Sequence, residues 1–139
     1  MYVDIMKKVC VIGGAGLIGI EISNKLIQRG FDVNLFDLGE QVNRVKDALD
    51  SKINIFYGSI LDPSTLRNAI KNCDTVIHLA ALLGVKRSEA DKLRCLEINV
   101  EGTKTILDCV IQGGVEKFIF ASSSEVYGEP LKASISETH

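Results

Sequence analysis

Short, unbroken apolar runs alternate along this chain with segments whose apolar positions recur at helical spacing. The first run, Val9-Cys10-Val11-Ile12, has no polar alternation, which suits a strand covered on both faces. Leu17, Ile18, Ile22, Leu26 and Ile27 then mark one face of a helix over residues 17–29, with Gly30 placed to cap its C-terminus. A second strand follows over residues 31–37, and residues 40–50 carry the sparser pattern of a short surface helix. Ile53-Asn54-Ile55-Phe56-Tyr57 predicts the third strand. Asp62-Pro63 opens a helix, with the acid as N-cap and the proline in the first turn; Leu66, Ala69 and Ile70 face inward. The fourth strand is expected over residues 75–79, a long helix over 88–112 stopped by Gly113-Gly114, and the fifth strand over 118–121. Residues 129–139 are polar and expected to be irregular.

Five alternations of strand and helix imply a parallel sheet with right-handed crossovers and helices on both faces. The fold class is therefore α/β, a doubly wound sheet of five strands in the expected order 3-2-1-4-5. The order reverses between the first and fourth strands. Ligands of such sheets bind in the crevice beyond the strands' C-terminal ends at that point. The turn after the first strand, Asp37, Ala80-Ala81 and residues 122–125 all belong to that edge.

Composition narrows the classes. A chain of 139 residues is one domain or one lobe of a larger one. A formal net charge of −2 makes no electrostatic case for nucleic acid as a partner. No apolar run approaches the ~20 residues of a membrane span, and residues 1–8 hold no apolar segment of signal-peptide length. The four cysteines, at 10, 73, 95 and 109, lack metal-ligand spacing. Buried free thiols in a reducing, cytoplasmic setting are the expectation, with no metal site.

The chemistry concentrates after the first strand, in Gly13-Gly14-Ala15-Gly16-Leu17-Ile18-Gly19. Gly13, Gly16 and Gly19 are spaced by three, and Gly14, Gly16 and Gly19 also fit Gly-x-Gly-x-x-Gly. Such glycines permit a tight turn, let backbone N–H groups approach a pyrophosphate, and let the helix pack close to the strand. The helix N-terminus offers unpaired N–H groups and a positive dipole end to the phosphates. Asp37 ends the second strand 18 residues past Gly19, near the spacing of an acid that bonds the adenosine ribose hydroxyls. Together these features point to a dinucleotide site.

Six motifs in order carry a wider likeness: the glycine turn, Asp37, Gly58-Ser59-Ile60-Leu61-Asp62, His78-Leu79-Ala80-Ala81, Asn99-Val100-Glu101-Gly102-Thr103 and Ser122-Ser123-Ser124-Glu125-Val126-Tyr127-Gly128. With them the chain resembles the extended short-chain dehydrogenase/reductases, in the branch of nucleotide-sugar epimerases, dehydratases and decarboxylases. The resemblance implies a Rossmann-type domain with NAD as cofactor. Gly13, Gly16, Leu17, Ile18, Gly19 and Asp37 would hold the adenosine half, and the Asp37 carboxylate would repel the 2′-phosphate of NADP. Ser59 departs from the aspartate common at its position; its oxygen would accept the adenine amine, beside Ile60. Leu79, Ala80 and Ala81 would let backbone approach the cofactor, and Asn99 would lie on the cofactor side. Asp62 is better explained as the helix cap, and His78 as a packed strand residue.

On the same resemblance, Ser123 would bind the sugar 4-hydroxyl. Ser124-Glu125, rather than Asp-Glu, favours epimerases and decarboxylases over dehydratases. Tyr127 is not the family's catalytic tyrosine. The proton-transferring Tyr-x-x-x-Lys pair and the substrate-binding lobe would lie beyond His139, so the chain is read as the N-terminal NAD-binding part of a nucleotide-sugar epimerase or related decarboxylase. Such an enzyme works through a transient 4-keto sugar. The alternative is a non-catalytic dinucleotide-binding sensor or partner-binding module. The family implies a homodimer, with residues 88–112 as the surface.

Overall fold

The computed structural model of the protein describes residues 7–82, 84, 89–129 and 134–137. Its strands β1 (Lys8–Ile12), β2 (Asp32–Asp37), β3 (Asn54–Tyr57), β4 (Thr75–His78) and β5 (Lys117–Phe120) form one parallel sheet in the order β3-β2-β1-β4-β5. This is the order that the alternation of elements predicts. In register, Ile12 lies beside both Phe36 and His78, and His78 beside Phe120. The central strands therefore end together, and the turns that follow them share one edge.

Each face of the sheet buries its own cluster. Val9 and Val11 pack with Val33, Leu35 and Val42, under α1 (Leu17–Gln28) and α2 (Gly39–Val45). Cys10 and Ile12 point the other way, to Leu66 and Ile70 of α3 (Pro63–Ile70) and Ile106 and Cys109 of the C-terminal helix. Side chains on both faces of β1 are thus taken out of water, which is why its sequence shows no polar alternation. Asn34 is the polar exception in β2. Its buried amide donates to the Ala69 carbonyl at 2.6 Å, which removes the cost of an unpaired polar group.

Asp62 caps α3 as its sequence position requires: a carboxylate oxygen accepts from the Ser64 N–H at 2.9 Å, with Pro63 in the first turn. α1 ends at Gln28, with Arg29 as the cap and Gly30 following at φ +81°. The other edges move by a residue, β3, β4 and β5 each being four residues long. All four cysteines are free thiols, three of them buried.

The largest departure is in the long helix expected over 88–112. Ser88 lies outside the described residues. From Lys92 to Gln112 the chain is helical throughout, α4 (Lys92–Leu96) and α5 (Gly102–Gln112) being joined by a π-helical turn (Glu97–Glu101). Asp91 starts α4 by accepting from the Arg94 N–H at 2.9 Å. Within the wide turn the Asn99 carbonyl receives the Thr103 hydroxyl at 2.7 Å, and the Asn99 side chain leaves the helix to bond another segment. Competing hydrogen bonds of this kind loosen the regular ladder.

Candidate functional site

The C-terminal edge of the sheet opens into a cleft of about 410 Å³, lined in part by Gly13, Gly16, Asp37, Ser59, Leu79 and Ala80. Gly13 stands at φ +79°, and a Cβ there would come within 2.5 Å of the Ala80 backbone nitrogen. The glycine turn and the β4 exit thus approach each other backbone to backbone, which no side chain at position 13 allows. A Cβ at Gly19 would lie 2.6 Å from the Gly13 carbonyl, so α1 is pressed against the turn. Gly16 differs. A Cβ there meets only the Gly13 carbonyl, at 3.4 Å, on an exposed surface. Internal packing gives little reason for glycine at 16; close approach by a ligand gives one.

Gly16 is the N-cap of α1, with no side-chain cap bond and no acid in the first turn. Free N–H groups and the positive dipole end therefore gather next to Gly16, which lines the cleft. Leu17 and Ile18, in that first turn, are 85% and 63% exposed. Large apolar side chains left bare beside an anion-ready turn suit a ligand with both phosphate and apolar surfaces.

Asp37 ties the turn to β2. One carboxylate oxygen accepts from the Ala15 N–H at 2.9 Å, the other from the Leu38 N–H at 2.8 Å. Each oxygen keeps a further lone pair for an outside hydroxyl. Burial raises the Asp37 carboxyl above its usual range, and the two N–H bonds hold it down. Ser59 Oγ accepts from the Leu61 N–H at 3.2 Å and keeps its own proton to donate. Ile60, also in the lining, is buried against Gly102 of α5. Ala81 completes the β4 side.

Asn99 does not line this cleft. It clamps the loop that does: its side-chain oxygen accepts from the Leu82 N–H at 2.7 Å, and its nitrogen donates to the Leu82 carbonyl at 3.1 Å. The neighbouring Ile98 enters the lining instead, with Arg94 one turn earlier and Gln41 on α2. Sequence reasoning missed these three, and Phe36, Leu38 and Leu82 in the same lining. The i, i+4 spacing of Arg94 and Ile98 was the available signal for that pair.

His78, at the end of β4, is buried. Its ring lies 5.3 Å from that of Phe120 and 6.3 Å from that of Phe118. Burial depresses its pKa to about 4. Ser123, Ser124 and Glu125 follow β5 and are exposed, outside the cleft lining. Ser123 Oγ accepts from the Glu125 N–H at 3.3 Å, shaping a 3₁₀ turn (Ser124–Tyr127). Among the described residues there is no group of three or more His, Cys, Asp or Glu placed to hold a metal ion, and no helix long and apolar enough to cross a membrane.

Fold and site together define a Rossmann-type domain whose glycine turn, acid and β4 exit meet in one cleft. Residues 9–139 match the NAD dependent epimerase/dehydratase family, and the chain belongs to that family. UDP-N-acetyl-alpha-D-glucosaminuronate decarboxylase of Bacillus cytotoxicus is 40% identical over 126 residues, covering 89% of this chain and 39% of that protein. UDP-glucose 4-epimerase of Erwinia amylovora is 36% identical over 137 residues, 94% of this chain and 41% of that protein. The crystal structure of UDP-glucose 4-epimerase from Brucella ovis in complex with NAD superposes with a TM-score of 0.83 at 30% identity, over 95% of this chain and 40% of that one. The chain thus spans about two fifths of the length of these relatives.

Proposed function

We propose that this chain is the NAD-binding part of an enzyme that epimerises or decarboxylates a nucleotide sugar. The observation that carries the cofactor assignment is the convergence of the Gly13–Gly19 turn, Asp37 and the Leu79–Ala81 exit on one cleft, in a chain of an NAD-dependent family. The turn and the N-terminus of α1 receive the phosphates, and Leu17 and Ile18 cover apolar surface beside them. Asp37 accepts ribose hydroxyls on its remaining lone pairs and repels a 2′-phosphate. Ser59 and Ile60 meet the adenine.

NAD held by these residues would supply hydride-transfer chemistry at the sugar carbon. This chain's contribution to that chemistry is positional. Ser123 holds the sugar 4-hydroxyl, with Ser124 and Glu125 beside it. Proton transfer belongs to a Tyr-x-x-x-Lys pair, a motif this chain does not contain. We therefore expect weak NAD binding and no turnover from the chain alone. We also expect a cytoplasmic location and a homodimer through the outer side of α4 and α5, where Leu93, Leu96 and Ile111 are exposed.

Calorimetric titration with NAD, NADH and NADP tests the assignment. NAD should bind about tenfold or more tighter than NADP, a difference of about 1.4 kcal/mol. Equal binding of NADP, or no binding of NAD, overturns the cofactor assignment. Turnover of UDP-glucose by the chain alone overturns the expectation of inactivity. Binding of a protein partner that depends on the nicotinamide redox state would favour the sensor reading.

A further inference from the structure

One polar contact, between His78 and Thr103, is used neither in the account of the fold nor by the proposed binding contacts. His78 Nε2 lies 3.0 Å from Thr103 Oγ1, and Thr103 Oγ1 lies 2.7 Å from the Asn99 carbonyl. A hydroxyl has one proton. With that proton on the Asn99 carbonyl, Thr103 can only accept from His78, so the ring carries its proton on Nε2. The opposite tautomer would draw the Thr103 proton to Nε2, take the hydroxyl donor away from the Asn99 carbonyl and leave a buried Nδ1–H unpaired. Nδ1 is buried and has no hydrogen-bond partner among the described residues. An unpaired acceptor there costs less than an unpaired donor together with a broken bond to Asn99.

The chain continues into the cleft. The Asn99 carbonyl belongs to the π-helical turn Glu97–Glu101, and the Asn99 amide clamps both backbone groups of Leu82. Leu82 ends the β4 exit that lines the cleft, and Ile98 lines it from the same turn. Thr103 holds the carbonyl of that turn from one helical turn further on, and Thr103 is itself met by His78 at the end of β4.

We infer that His78 and Thr103 are positioning residues: the Nε2–H of His78 orients the Thr103 hydroxyl, which keeps the π turn open and Asn99 clamped on Leu82, so that the cleft is shaped before NAD arrives. The inference rests on the proposed cofactor reading for its effect on NAD, and on geometry alone for the relay. Loss of the hydroxyl frees the clamp, and the β4 exit loop then has to be ordered at the moment of binding, which weakens affinity.

The test uses the whole chain and the variants Thr103→Val, Thr103→Ser, His78→Phe and His78→Gln. Long-range proton–nitrogen spectra near neutral pH read the tautomer, with the His78 signals assigned by their loss in His78→Gln. Hydrogen exchange reads the Leu82 amide, calorimetry reads NAD affinity, and thermal unfolding reads stability. The expected results are the Nε2–H tautomer, and in Thr103→Val about tenfold faster Leu82 exchange with about tenfold weaker NAD binding. Thr103→Ser and His78→Gln, which keep the hydroxyl and a donor, should restore both to within about twofold of the parent chain, unlike His78→Phe. An Nδ1–H tautomer overturns the relay. So does a Thr103→Val chain that melts earlier but keeps the Leu82 exchange and NAD affinity of the parent. Should Thr103→Val not fold, the tautomer and the contrast of His78→Phe with His78→Gln decide the relay. If the parent chain binds no NAD, the cofactor reading fails, and the tautomer and Leu82 exchange decide the relay alone.

Discussion

The two ends of the sheet edge that carry the motifs are built differently. Around the Gly13–Gly19 turn the structure is finished: Gly13 is locked against Ala80, Asp37 holds the turn through one carboxylate oxygen and the Leu38 N–H through the other, and the strands beneath are buried on both faces. Around residues 122–125 it is open. β5 is the edge strand, Phe120 is 54% exposed, and Ser123 bonds only its own turn among the contacts described. The first region is preorganised by backbone geometry and needs only its ligand. The second presents polar side chains on a bare edge and has little to hold them. A site for phosphates can be made from one strand, one turn and one helix. A site for selective sugar chemistry needs side chains from several segments held at once.

That contrast sets the size of each expected effect. Gly13→Ala should be the most damaging change, since it puts a Cβ into the Ala80 backbone at positive φ. A loss of about 3 kcal/mol in urea-unfolding stability is expected, with loss of NAD binding. A stability loss under about 1 kcal/mol would mean that the turn is softer than the contrast requires.

Acid should act next, at the junction of the two regions. The folded state depresses the His78 pKa from 6.5 to about 4, so it favours the neutral ring. The unfolded chain binds the extra proton first. Stability is therefore fully present above the unfolded pKa and falls as the pH drops from 6.5 toward 4. Between about pH 7 and about pH 5 the ring should cost roughly 2 kcal/mol, and His78→Gln should flatten that part of the profile. An unchanged profile in that variant would remove His78 from the account.

Asp37→Ala removes the span between β2 and the glycine turn and any bond to a ribose. About tenfold weaker NAD binding, or about 1.4 kcal/mol, is expected by calorimetry, with a smaller preference for NAD over NADP. Ser123→Ala should do least. On an exposed edge it should change stability by less than about 0.5 kcal/mol and leave NAD affinity within about twofold. A large loss of either would show that residues 122–125 are tied to the preorganised region after all.

Much of this was legible along the chain. Buried strands such as Val9-Cys10-Val11-Ile12 declare themselves by unbroken apolar runs, and caps such as Asp62 act on the next few residues. The glycine turn and Asp37 are legible for the same reason, being set by backbone sterics and by the length of one helix. The π turn in the long helix was not legible. The apolar period continues through Glu97–Glu101, whereas the Asn99 amide and the Thr103 hydroxyl meet Leu82 and His78 in other segments. The motif places Asn99 on the cofactor side; the structure shows its amide on Leu82, with Ile98 beside it in the cleft lining.

The sequence by itself determined the five strands, their order and the first half of the cleft, because hydrophobic period, turn chemistry and short-range caps are local. Only the tertiary structure decided which residues of the long helix face the cleft, which turn N–H Asp37 holds, and which hydroxyl the His78 ring meets. Those depend on bonds between residues 17, 22 and 25 positions apart, Leu82 with Asn99, Ala15 with Asp37 and His78 with Thr103. No periodicity records them, because a hydrogen bond between distant segments exists only once the core has brought both ends together.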